Sequence, residues 1–97
     1  MPTYEWVSRL RRDFEALSAD EQRAFIDAVR QFVEDMKAGG PFRPGLRVKG
    51  VRGARGVFEM SWAPDGRATF EYGDSIQDGE PHVIWRRVGT HDILRAP

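Results

Sequence analysis

Ninety-seven residues suffice for one compact domain with a single core and are too few for two, so one domain over 1–97 is expected. The absence of cysteine excludes a disulfide framework and a thiolate metal site, and two histidines make a structural zinc site unexpected, so the chain should need no metal or cofactor. Fifteen basic and fifteen acidic side chains cancel, no run approaches a membrane span, and the first residues lack the apolar segment of a signal peptide; a soluble, cytoplasmic protein is expected.

Tyr4 and Trp6 alternate with polar neighbours and predict a brief edge strand. Leu10, Phe14 and Leu17 then mark a helix over 8–17. Ser18 and Glu21 have the spacing of a reciprocal cap, in which the hydroxyl accepts from the third helical amide and the carboxylate reaches back to the cap amide. A second helix over 19–38 follows, with Phe25, Ile26, Val29, Phe32, Val33 and Met36 on its apolar stripe and Gly39-Gly40-Pro41 as its stop. Arg23 with Asp27, and Arg30 with Glu34, are expected as solvent-side pairs contributing about 0.3 kcal/mol each. The connection is short enough to make the two helices an antiparallel hairpin.

After Pro44-Gly45 the pattern changes from helical spacing to alternation. Leu46 and Val48 alternate with Arg47 and Lys49, and Val51 breaks parity after Gly50, which suggests a bulge. Phe58, Met60 and Trp62 alternate with Val57, Glu59 and Ser61. Pro64-Asp65-Gly66 turns the chain, and Ala68, Phe70 and Tyr72 return as the hairpin partner. A polar loop from Gly73 to Pro81 leads to a final strand from His82 to Val88, with an extension through Ile93 open to it. Helices first and strands afterwards imply an α+β fold, an N-terminal αα-hairpin packed on one face of a small twisted antiparallel sheet whose other face is open.

Charge is unevenly placed. Residues 1–41 carry six basic and eight acidic groups, whereas residues 42–97 carry nine and seven. Arg43, Arg47, Lys49, Arg52 and Arg55 follow one another with no acid among them, a stripe that could track a phosphate backbone or simply solvate a sheet edge. Arg86 and Arg87 project to opposite faces of an extended chain, so only one addresses a given site, and the pattern leaves open which. Arg67 opens the return strand of the hairpin with the parity of Thr69 and Glu71, away from the apolar Ala68, Phe70 and Tyr72. His91 could exchange a proton near neutrality, and equally could be a surface or capping residue. On a regular strand Asp92 would point away from it.

Gly66-Arg67-Ala68-Thr69-Phe70 in one strand and Trp85-Arg86-Arg87-Val88-Gly89-Thr90-His91-Asp92-Ile93 at the end resemble the RelE/ParE superfamily of bacterial toxins, over about half the chain from Leu46 to Leu94. The resemblance implies the toxin of a type II toxin–antitoxin pair, neutralised by a protein antitoxin. RelE-like members enter the ribosome and cut messenger RNA with the RNA's own 2′-hydroxyl as nucleophile, without a metal. It further implies Arg67 and Arg87 as ligands of the scissile phosphate and His91 as acid or base. Arg47, Lys49, Arg52, Arg55 and Arg86 would then position RNA. Glu59 and Ser61 stand where ribosome-dependent members often carry lysines. Glu59 could act as a carboxylate base or could repel phosphate, and a neutral net charge is unusual for a protein approaching ribosomal RNA. Two rivals remain: a ParE-like inhibitor of DNA gyrase that catalyses nothing, and an inert relative that acts as a protein-interaction domain.

Overall fold

The computed structural model describes residues 2–97. In chain order it contains β1 (Thr3–Trp6), α1 (Ser8–Glu15), α2 (Ala19–Ala38), a 3₁₀ turn at Pro44–Leu46, β2 (Lys49–Gly50), β3 (Phe58–Ser61), β4 (Gly66–Gly73), β5 (His82–Thr90) and a 3₁₀ turn at His91–Arg95. The five strands form one sheet in the order β1-β5-β4-β3-β2. The expectation of an α+β fold with two helices ahead of the sheet holds. The sheet is mixed rather than antiparallel, because β1 runs parallel to β5. Parallel neighbours need a long crossover, and here both helices and three strands lie between them in the chain.

The sequence explains α2 closely. Ser18 Oγ accepts from the Glu21 amide and Glu21 Oε1 accepts from the Ser18 amide, closing the cap in both directions. At the other end Gly39 adopts φ 73°, a left-handed stop that a side chain would strain. The solvent-side ion pairs form one residue closer than expected, Arg23 with Asp20 and Arg30 with Asp27. Two further expectations change. Pro44 starts a 3₁₀ turn that takes Leu46 into the core and leaves Arg47 at φ 49°, so the strand begins only at Lys49. At the far end, β5 stops at Thr90, whose hydroxyl accepts from the Asp92 amide and starts the last 3₁₀ turn. His91 and Asp92 are therefore not strand residues.

The inner face of the sheet is an aromatic core. Trp85 and Phe70 meet Phe32 of α2 with ring centroids 5.2 and 5.0 Å apart, and Phe25 stands edge-on to Trp85 at 5.9 Å. Trp85 and Val88 both point into this core although strict alternation would place them on opposite faces. A bulge reconciles them: Thr69 pairs with Arg87 and Phe70 with Trp85, so Arg86 is the extra residue.

The outer face is not open. Val57, Glu59, Ser61 and Thr69 are all buried there, and Ile93 of the last 3₁₀ turn folds over Gly89. A Cβ on Gly89 would lie 2.9 Å from Ile93 Cγ2, so a hydrogen at that position is what lets the turn close on the sheet.

Candidate active site

Cross-strand partners share a face, and the register writes out what lies on this one. One row runs Lys49, Glu59, Thr69, Arg87 across β2, β3, β4 and β5. The next runs Ser61, Arg67, Gly89. Three residues singled out from the sequence, Lys49, Arg67 and Arg87, therefore start from one surface, with Glu59 between them.

Arg67 is the best placed. Its side chain is 14% exposed, and Nη1 donates to the carbonyls of Gly66, Pro64 and Ala63 at 2.9, 3.3 and 3.4 Å. Those contacts are the carbonyls of the Pro64-Asp65-Gly66 turn itself, so the hairpin locks the arginine in position. Nε stands 3.9 Å from Glu59 Oε1, too far for a hydrogen bond but close enough for the charges to attract. Glu59 is only 7% exposed. Together they give a preformed pair of opposite charges at the margin of a groove of about 480 Å³ that Arg67 shares with Arg47, Ser61, Trp62, Asp27 and Gln31.

Arg87 is differently employed. Nε and Nη2 donate to the two carboxylate oxygens of Asp13 on α1 at 2.9 and 3.0 Å, and Nη1 to the Ala96 carbonyl at 3.3 Å. The Asp13 carboxylate raises the guanidinium's affinity for its proton, against the opposing effect of burial. Asp13 also accepts from the Val88 amide at 3.3 Å, an N–H left free where β1 has ended and β5 continues alone. The bidentate pair is thus a clamp between helix and sheet edge, and Arg87 brings no uncompensated charge to the outer face. Arg86, the bulge residue, donates to Glu71 at 3.2 Å and to the Pro97 carbonyl at 3.2 Å, so it too is engaged within the fold.

His91 is exposed at the end of β5, and its amide donates to the Asp65 carbonyl at 2.8 Å. That bond anchors it to the same turn that holds Arg67. The structure therefore sets Arg67 beside Glu59, ties the His91 backbone to the same hairpin turn, and sends the head group of Arg87 elsewhere. Arg47, Lys49, Arg52 and Arg55 are exposed, and their side chains have no hydrogen-bond or ion-pair partner among the described residues. Arg43, the first member of that stripe, is withdrawn from it: Nε and Nη2 bind Asp35 at 3.0 and 2.8 Å, and the contact holds the Asp35 carboxyl below its ordinary value.

Two residues went unremarked as participants from sequence. Asp13 sits in an ordinary helical pattern and gives no signal. Thr69 reads as an outward, solvated position, yet it is completely buried. The other histidine, His82, is structural: Nδ1 meets the Thr3 hydroxyl at 2.7 Å and Nε2 meets Glu5 at 2.8 Å, and a tautomer with its proton on Nε2 satisfies both. Among the described residues no group of three or more histidine, aspartate or glutamate side chains comes together as a metal site, and no helix is long and apolar enough to cross a membrane.

No family model matches the sequence, nor does any curated protein. Solved structures do match. A mutant toxin from Helicobacter pylori in its copper-bound form superposes with a TM-score of 0.68 at 15% identity, over 97% of this chain and 99% of that one. YafQ from E. coli strain BL21(DE3) gives 0.66 at 12% identity, over 97% and 98%. The toxin–antitoxin complex RelB–RelE from Methanococcus jannaschii gives 0.62 at 11% identity, over 94% of each chain. Helix pair, mixed sheet and near-complete coverage agree: the chain has the fold of the RelE-like toxins.

Proposed function

We propose that this chain is the toxin of a type II toxin–antitoxin pair and cuts messenger RNA on the ribosome by metal-independent attack of a 2′-hydroxyl. The observation that carries the reading is the Glu59–Arg67 pair, a buried carboxylate and a turn-locked guanidinium 3.9 Å apart on one sheet face. Glu59 removes the 2′-proton, the 2′-oxygen attacks the adjacent phosphorus, and the phosphorus–O5′ bond breaks to leave a 2′,3′-cyclic phosphate. Arg67 Nη2, without a partner among the described residues, donates to the equatorial oxygens as charge builds on them. His91, anchored to the Asp65 carbonyl, protonates the leaving 5′-oxygen. Arg47, Lys49, Arg52 and Arg55 hold the flanking phosphates, which lets a chain of zero net charge engage RNA through one local patch. Arg87 contributes by clamping β5 to α1 rather than by touching phosphate. The partner that silences the protein is a cognate antitoxin, as in the RelB–RelE complex whose toxin shares this fold.

The test is expression of the chain alone, with transcripts mapped for breaks inside codons and for cyclic-phosphate ends. Wild type should shorten messages and stop translation, while Glu59→Gln and Arg67→Ala should leave them intact. Growth arrest with full-length messages and broken DNA would instead identify a gyrase inhibitor.

A further inference from the structure

We infer that Thr69 is a positioning residue whose hydroxyl orients the Glu59 carboxylate. Its consequence for rate rests on the nuclease reading above; the contact itself does not.

Thr69 is fully buried, and its hydroxyl is the one buried side-chain polar atom among the described residues with no hydrogen-bond partner. Native folds avoid such atoms, because a hydroxyl withdrawn from water without a new partner is costly. Packing alone does not account for it. Valine has the same branched shape, suits a strand as well, and would fill the position without the polar atom. The hydroxyl therefore answers to something other than stability.

Its surroundings identify the partner. Glu59 is the residue directly opposite on β3, a register at which side chains of neighbouring strands meet. Among the described residues the Glu59 carboxylate has no hydrogen-bond donor, only the ion pair with Arg67. On the other side, the partner of Thr69 is Arg87, whose guanidinium is occupied by Asp13. The charged groups facing Glu59 are Lys49 from β2 and Arg67 from β4. A rotation about the Thr69 Cα–Cβ bond carries the hydroxyl to one Glu59 carboxylate oxygen in the free protein as well as in the complex. When Arg67 turns to a phosphate and Glu59 loses its nearest cation, that bond holds the carboxylate and leaves its other oxygen for the 2′-proton.

A double-mutant cycle on Thr69→Val and Glu59→Gln tests this, with Thr69→Ser as the conservative control. In the wild-type background Thr69→Val should lower kcat about tenfold with little change in KM, part of the roughly hundredfold or greater contribution of a positioned base. Thr69→Ser should restore the rate, and in the Glu59→Gln background Thr69→Val should change nothing. A structural role alone would lower the rate equally in both backgrounds, and that outcome overturns the inference. The same four proteins are also unfolded in urea at neutral pH. Non-additive midpoints support the contact even if the wild type proves unable to cleave RNA, in which case the nuclease reading falls by itself. Additive midpoints overturn the contact.

Discussion

The two faces of this sheet are both buried, by opposite means. The inner face is closed by interlocking rings from α2, β4 and β5. The outer face buries the polar Glu59, Ser61 and Thr69, and Ile93 of the last turn folds over Gly89 on the same face. An apolar core explains itself by its stability. A buried hydroxyl that lacks a hydrogen bond does not, and among the described residues Thr69 carries the one such atom.

That contrast can be broken from either side. The largest effect should come from the inner face: Phe25→Ala removes a ring that touches Trp6, Phe14, Trp62 and Trp85, and should cost about 3–5 kcal/mol of unfolding free energy in urea titrations. Glu59→Gln should do the reverse. Stability should stay close to wild type while RNA cleavage falls by roughly 10²–10³, read as rates on ribosome-bound message. Between the faces lies the clamp. Asp13→Ala frees Arg87 and the Val88 amide and should lower stability by about 1.5–3 kcal/mol, measured by the same titration. Removing the α2 cap with Ser18→Ala should cost about 1 kcal/mol and leave cleavage untouched.

The smallest effect should be at Asp35, partly buried and bound by Arg43. Its carboxyl is held below the ordinary 3.8, first by the Arg43 side chain and then by the Arg43 amide. A depressed value in the folded state means that the contact stabilises above that ordinary value and is lost as pH falls through the lower, folded one. Asp35→Asn should therefore lower the melting temperature at neutral pH, and the gap should close in the acid range below 3.8.

The same two faces differ in how legible they are in sequence. The core aromatics of α2 and β4 lie on periods that can be read directly, and the cap at Ser18 and Glu21 is local chemistry, whereas alternation alone does not assign Trp85 a face. The outer face depends on register. Lys49, Glu59, Thr69 and Arg87 are spread over four strands, and only pairing lines them up. The bulge at Arg86 is not legible because apolar residues occur on both parities of this strand, Val83 and Trp85 on one and Ile84 and Val88 on the other, and only the pairing with β4 shows the shift. The parallel pairing of β1 is a relation between distant segments, invisible to any local pattern. Arg67 and His91 were visible as residues; that one turn holds both was not, nor was the carboxylate that captures Arg87.

One topological fact bears on how such a protein is made. β5 is hydrogen-bonded to β1 on one side and to β4 on the other, and its first residue contacts Thr3 across 79 positions of chain. Neither the sheet nor the clamp to Asp13 can form until this strand has emerged from the ribosome that is synthesising it. The nascent chain thus carries its helices and first hairpin before the completed sheet, and its two terminal strands meet only when the last of them inserts.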